Sequence, residues 1–348
     1  MFLESDNSMT LNLEPIRFFL EHTSIPYASN VDIKYKTYFM MGGLCEIFIT
    51  PSTLIQLECV LLFLETNKLK YKVIGNTSNL IFVDEGHYSI LISTINLNGL
   101  KVTEQAIEAD TGALLPTLSR VALINGFSGF EGIEGIPATV GGALFMNAGA
   151  YGCSISDKLT EVKVFDRNEQ QVLILNNDEC RFSYRKSIFR EDNRYIVLSA
   201  KFYIEKGCKD TIANKMETYH IARHSYQEFC YPNLGSMISV TGDYYAEIFK
   251  KDKVYYLLYL FLKVFFRNPV VKFLRRKKPH SSELNYLLKK YFERRLKILV
   301  KNHISNKGAN ILVNDGNVSA EHILSYVKLM HNEIGESWHI ENEVVFDF

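Results

Sequence analysis

Apolar and polar positions alternate through much of the first 206 residues, and helical spacing takes over in much of the remainder. Residues 14–30 carry a helical pattern followed by a proline-containing turn. From Val31 to Ser93 the pattern predicts strand, helix, strand and strand. "EIFITP" (46–51) is β-rich, "TLIQLECVLLFLETNK" (53–68) has helical spacing, and "YKVIGNTSNLIF" (71–82) is a strand entering a tight polar turn. Strand-like alternation resumes over 88–110, and "LLPTLSRVALING" (114–126) predicts a helix stopped by Gly126. "EVKVFDRNEQQVLIL" (161–175) predicts a hairpin about Arg167-Asn168, and "RYIVLSAKFYIEK" (194–206) a further strand. Beyond it, "SAEHILSYVKLMHNEIG" (319–335) is the best-formed helix and "WHIENEVVFDF" a closing strand. The expected class is α+β: two mixed lobes, 14–95 and 96–206, and a C-terminal unit, 207–348.

At 348 residues the chain is long enough for two or three packed units. Six cysteines at 45, 59, 153, 180, 208 and 230 include no C-x-x-C pair, which predicts reduced thiols rather than a metal site or disulfide framework. The first 25 residues hold acids and no basic-then-apolar signal region, so the expected location is the cytoplasm. "VYYLLYLFLKVFF" (254–266) is too short to cross a membrane and contains Lys263.

Net charge is zero but unevenly spread. From Lys263 to Lys301 thirteen Lys/Arg face two acids, a local +11, which leaves −11 for the rest of the chain. The aromatic, aliphatic and basic residues of 240–300 fit either of two arrangements. One is an interfacial helix on an anionic membrane, carried by 254–278. The other, which is favoured, is a pair of helices packed on the third domain with solvated cations. No nucleic-acid-binding fold is recognisable.

Three segments carry candidate chemistry. "GFSGFEGIEGIPATVGGALFMNAGAYG" (126–152) holds eight glycines in 27 residues but is neither a Rossmann fingerprint nor a P-loop. Such backbone suits either close contact with an anion or a surface loop with several turns. "GNTSNL" (75–80) supplies small residues and free N–H groups that suit a phosphate, and is also ordinary turn chemistry. "DECRFSYRKSIFR" (178–190) sets Arg185 among aromatic and apolar neighbours, for a structural ion pair or for a carboxylate or phosphate.

In order and spacing, "GNTSNL", "GIEGIPATVGGALFMNAGAYG" and "ECRFSYRKSIFR" resemble the UDP-N-acetylmuramate dehydrogenase (UDP-N-acetylenolpyruvoylglucosamine reductase) family. The resemblance covers 30–205 well and returns at Gly235-Ser236, "SNKGANILVNDG" (305–316) and "ENEVVF". It implies a two-lobed FAD-binding fold of the vanillyl-alcohol-oxidase type with an α+β substrate domain closing over a UDP-sugar. It further implies a monomeric enzyme of peptidoglycan synthesis, in which NADPH reduces the flavin and flavin N5 passes hydride to an enolpyruvyl ether.

By the same resemblance, FAD contacts fall on Gly75, Asn76, Thr77, Ser78 and Asn79 and on Gly135, Ile136, Pro137, Gly141 and Gly142. Asn147, Gly149, Ala150, Tyr151 and Gly152 close that pocket. Arg185, with Tyr184 beside it, matches the position that steadies substrate charge; Ser236 matches the proton donor, and Glu343 the assisting carboxylate. No metal is implied. Departures cluster towards the substrate end. Thr77 replaces a glycine, so the turn is expected to adjust away from positive φ. "SAGSFFKNP" becomes "NLGSMISV", "PEVR" becomes Asn342-Glu343-Val344-Val345, and 240–300 is rewritten. These leave two alternatives beside the family reaction: a flavin enzyme for another nucleotide sugar, or a non-catalytic flavin-binding protein.

Overall fold

The computed structural model describes residues 12–240, 243–265, 268–274, 282–296, 304–305, 307–308, 310–334 and 338–348. The expected α+β class is what it shows.

In the first lobe, strand Leu44–Ile49 lies between Tyr27–Asp32, antiparallel, and His87–Ser93, parallel; Lys72–Ile74 completes the sheet beside His87–Ser93. The register Ile47↔Ile90 and Ile49↔Ile92 puts four β-branched side chains on one face. Leu57, Val60, Leu61 and Leu64, on one side of helix Leu54–Thr66, cover that face. Thr53 starts this helix by accepting the Gln56 N–H at 3.2 Å. The helical pattern at the N-terminus ends early: the helix is Glu14–His22, and a strand begins at Tyr27, just after Pro26.

The second lobe is an antiparallel sheet in the order Gln171–Asn176, Leu159–Asp166, Tyr195–Tyr203, Ala106–Asp110, Leu100–Val102. The hairpin falls at 167–170, as the sequence predicts. One sheet face packs Val162, Val164, Ala200 and Phe202 against helices Leu115–Asn125 and Val140–Met146. On the other, Phe165 and Leu198 enter the hydrophobic cluster of the first lobe, so the two lobes share a core.

Helices Tyr244–Phe249, Lys253–Phe265, Ser282–Leu296 and Ala320–Ile334 form a third cluster about Phe249, Tyr255, Tyr259, Tyr291, Phe292 and Ile323. Phe39, Met41 and Ile81 of the first lobe join it. Helices Tyr244–Phe249, Lys253–Phe265 and Ser282–Leu296 of 240–300 therefore pack on this unit, while 241–242, 266–267, 275–281 and 297–300 lie outside the described residues.

The C-terminal stretch is not one strand. Trp338–Ile340 pairs antiparallel with Ile238–Val240, whereas Glu343–Val345 pairs parallel with Leu80–Phe82. Asn342 sits between them with its amide on Asn79, which redirects the chain from one partner to the other.

Candidate functional site

Two turns meet at a cleft. The first, 75–79, joins strand Lys72–Ile74 to Leu80–Phe82; the second, 135–139, leads into helix Val140–Met146. The Asn76 amide donates to the Pro137 carbonyl at 2.7 Å, tying one turn to the other. A Cβ at Gly75 would stand 2.2 Å from Thr139 Oγ1, and one at Gly141 2.1 Å from Thr111 Oγ1. Glycine is required at both: at Gly75 the two lobes, and at Gly141 two segments of the second lobe, approach more closely than a side chain allows.

The cleft opens into a cavity of about 940 Å³. Its wall includes Gly75, Asn76, Thr77, Ser78, Asn79, Gly135, Ile136, Pro137, Gly141, Gly142, Gly149 and Ala150. Arg185, Ser236 and Glu343 line the same cavity, although 158 positions separate the first from the last in sequence.

Thr77 corrects one expectation. The turn keeps its positive φ of +53° despite the Cβ, and Thr77 is buried. The Tyr38 N–H donates to Thr77 Oγ1 at 2.7 Å, a bond glycine could not make, which offsets the strain. Asn79 lines the cavity, but its side chain is committed to the C-terminal segment: Nδ2 donates to the Glu341 carbonyl at 2.8 Å, and Oδ1 accepts from Asn342 at 2.9 Å.

Arg185 also sits at positive φ, +55°. Its guanidinium donates to the Gly149 carbonyl at 3.3 and 3.4 Å, and Nε lies 3.4 Å from Glu341 Oε1. Asn147, left-handed at φ +43°, bridges the glycine segment to this arginine loop by donating to the Ser183 carbonyl at 2.9 Å. Strained backbone concentrated in this way marks a site whose geometry is fixed by its surroundings. Glu343 pairs with Lys72 at 2.9 Å, and its N–H donates to the Asn79 carbonyl at 3.0 Å. Parallel pairing with Leu80–Phe82 thus brings the last glutamate of the chain beside the 75–79 turn.

Four assigned residues do not form the cavity wall: Asn147, Tyr151, Gly152 and Tyr184. Asn147 lies buried behind it, and Gly152 faces open space. Tyr184 is 71% exposed, its ring 5.3 Å from the Arg185 guanidinium. Tyr151 stacks on Tyr219 at 4.5 Å, and its hydroxyl is 3.0 Å from that of Tyr226. Burial and then the Tyr226 hydrogen bond push its pKa up to about 12.

Sequence reasoning missed Arg223 and Glu341. Arg223 lines the cavity, is buried, and has no ion pair with a described carboxylate; its Nε has no hydrogen-bond partner among the described residues. It lies along Gly135, where a Cβ would meet Nε at 2.3 Å. An arginine shortly before Gly235-Ser236, in a helix leading to the site, is the signal that could have found it. Glu341 stands two positions before Glu343, across the bend at Asn342, and nothing local in the sequence marks it.

Comparisons agree with this construction. A model described as an FAD binding domain matches residues 45–174. The UDP-N-acetylenolpyruvoylglucosamine reductase of Lactococcus lactis subsp. cremoris is 37% identical over 226 residues, 65% of this chain and 75% of that protein. That of Caldanaerobacter subterraneus subsp. tengcongensis is 36% identical over 217 residues, 62% and 71% respectively. The chain belongs to the UDP-N-acetylenolpyruvoylglucosamine reductase family. The fold agrees: the crystal structure of the Thermus caldophilus reductase superposes with a TM-score of 0.65, covering 92% of this chain and 98% of that one at 23% identity.

The residues present fit the family's flavin. Turns that only glycine permits leave bare backbone on the cavity wall, and, among the described residues, buried Arg223 has no carboxylate counter-ion and buried Asn147 Oδ1 no hydrogen-bond partner. Gly75, Asn76, Ser78, Gly135 and Gly141 would hold the cofactor.

Proposed function

We propose that the protein is an FAD-dependent reductase that converts UDP-N-acetylglucosamine enolpyruvate to UDP-N-acetylmuramate, with NADPH as reductant, for peptidoglycan precursor synthesis. The observation that carries this reading is that Arg185, Ser236 and Glu343 share one cavity with the glycine cradle. FAD held at the glycine cradle would supply hydride chemistry at the β-carbon of the enolpyruvyl double bond, with NADPH as the reductant.

The chain's own residues handle the charge and the proton. Hydride arrival leaves negative charge on the α-carbon and its carboxylate. The Arg185 guanidinium, held by Gly149 and Glu341, is a fixed cation for that charge. The Ser236 hydroxyl delivers the proton to the α-carbon and is exposed, so solvent can replace it. Glu343, held by Lys72, orients the substrate at the same carboxylate. One hydride and one proton saturate the double bond, and NADP⁺ leaves.

In this reading 14–95 and 96–206 are the flavin lobes and 207–348 the substrate domain. Each has a hydrophobic cluster centred on it, with Phe165, Leu198, Phe39, Met41 and Ile81 crossing the boundaries. All six cysteines are free, which suits a reducing cytoplasm. Turnover tests the proposal: NADPH oxidation by the purified yellow protein should depend on the enolpyruvyl UDP-sugar. Oxidation indifferent to that sugar would contradict it.

A further inference from the structure

Helix Lys253–Phe265 is amphipathic in an unusual sense. Its inner face buries Tyr255 and Tyr259 against Phe249 and Tyr291. Its outer face, where a surface helix ordinarily carries charge, presents Val254, Leu257, Leu258, Phe261 and Val264, each 44–69% exposed. Residues 254–262 include no charged side chain. Lys263, next along, turns its ammonium to Asp243 at 3.0 Å, off the stripe. Val270, on the following helix Pro269–Leu274, is a further apolar side chain at 64% exposure. A contiguous apolar stripe of this kind marks a contact surface.

We propose that this stripe docks the protein on the surface of an anionic lipid bilayer. Two observations choose that occupant. In sequence the stripe is followed by thirteen Lys/Arg against two acids over 263–301, a charge that complements anionic headgroups. The helix has 13 residues, and no helix among the described residues is long and apolar enough to cross a membrane, so it lies in the interface. A second copy of the chain carries the same +11 segment next to the stripe in sequence, like charge that opposes the pairing. A nucleic acid would answer the charge but leave the apolar stripe in water.

Flotation of the full-length protein with vesicles tests the proposal. It should float with phosphatidylglycerol vesicles and stay behind with phosphatidylcholine. Leu257→Glu with Phe261→Glu should lower the bound fraction about tenfold or more, with the flavin absorbance unchanged. Ile55→Glu, a change at an apolar residue 72% exposed elsewhere, should not. In a Phe261→Trp variant the emission should shift to the blue on phosphatidylglycerol vesicles. Absence of flotation, equal flotation of the double variant, or unshifted emission overturns the proposal. So does light scattering that shows a dimer which the double variant splits.

Discussion

Arg185 Nε lies 3.4 Å from Glu341 Oε1, so the cation assigned to substrate charge is already held by an acid two residues before the assigned Glu343. The positive φ of Arg185 and the Gly149 carbonyl fix its direction. Arg185→Ala should therefore lower kcat by about 10²–10³-fold, the usual loss for a preorganised charge-stabilising donor, with flavin content unchanged. Glu341→Gln should cost less, since Gly149 still holds the guanidinium. Steady-state kinetics at saturating NADPH check the order.

Close approach at the two turns predicts a rescue. Gly75→Ala places a methyl 2.2 Å from Thr139 Oγ1 and should destabilise the fold by about 1–3 kcal/mol and reduce flavin retention. Thr139→Ala loses the N-cap, about 1 kcal/mol. The double variant should be more stable than the sum of the two predicts, because the clash goes with the hydroxyl. Denaturant midpoints of the four proteins close the cycle.

At Thr77 the strain and the hydrogen bond pull in opposite directions. Thr77→Ala keeps the Cβ at φ +53° and loses the bond to Tyr38, so it should destabilise by about 1 kcal/mol. Thr77→Gly loses the same bond but relieves about 1–2 kcal/mol of left-handed strain. The glycine variant should melt above the alanine variant. The reverse order would mean that φ is not held positive.

Fully buried Asp166, at the end of strand Leu159–Asp166, accepts from Arg194 at 2.7–3.0 Å and from the N–H groups of Asn168 and Glu169. The Arg194 hydrogen bond lowers its pKa. A depressed folded-state pKa gives stability that is present above the unfolded value, about 3.9, and lost as pH falls through the folded one. Asp166→Asn should cost about 3 kcal/mol at pH 7 and show a shallower acid limb below about pH 4. Thermal melts of both proteins from pH 7 to pH 3 give the comparison.

Local patterns made the elements legible. Strand Leu44–Ile49, helix Leu54–Thr66 and the hairpin at 167–170 follow from alternation, helical spacing and turn chemistry within short windows. The glycine segment and "YRKS" were legible as motifs. Long-range pairing was not. The parallel register of Glu343–Val345 on Leu80–Phe82, and Asn342 turning the chain between two partners, depend on residues more than 250 positions away. Arg223 was hidden because nothing local distinguishes a buried, unpaired arginine from a solvated one on helix Lys209–Tyr226. The outward stripe of Lys253–Phe265 was hidden for a related reason: periodicity gives the spacing of apolar residues but not which face the fold covers.

The central claim is that the cavity holding Arg185, Ser236 and Glu343 reduces an enolpyruvyl UDP-sugar. Its most direct test is the second half-reaction alone: reduce the protein-bound flavin with one equivalent of NADPH without oxygen, then mix with UDP-N-acetylglucosamine enolpyruvate in a stopped-flow spectrometer. The account predicts rapid return of the oxidised-flavin absorbance, slowed by orders of magnitude in Ser236→Ala with the NADPH half-reaction unchanged. A flavin that stays reduced in the wild-type protein, or a Ser236→Ala variant that reoxidises at the wild-type rate, would contradict it.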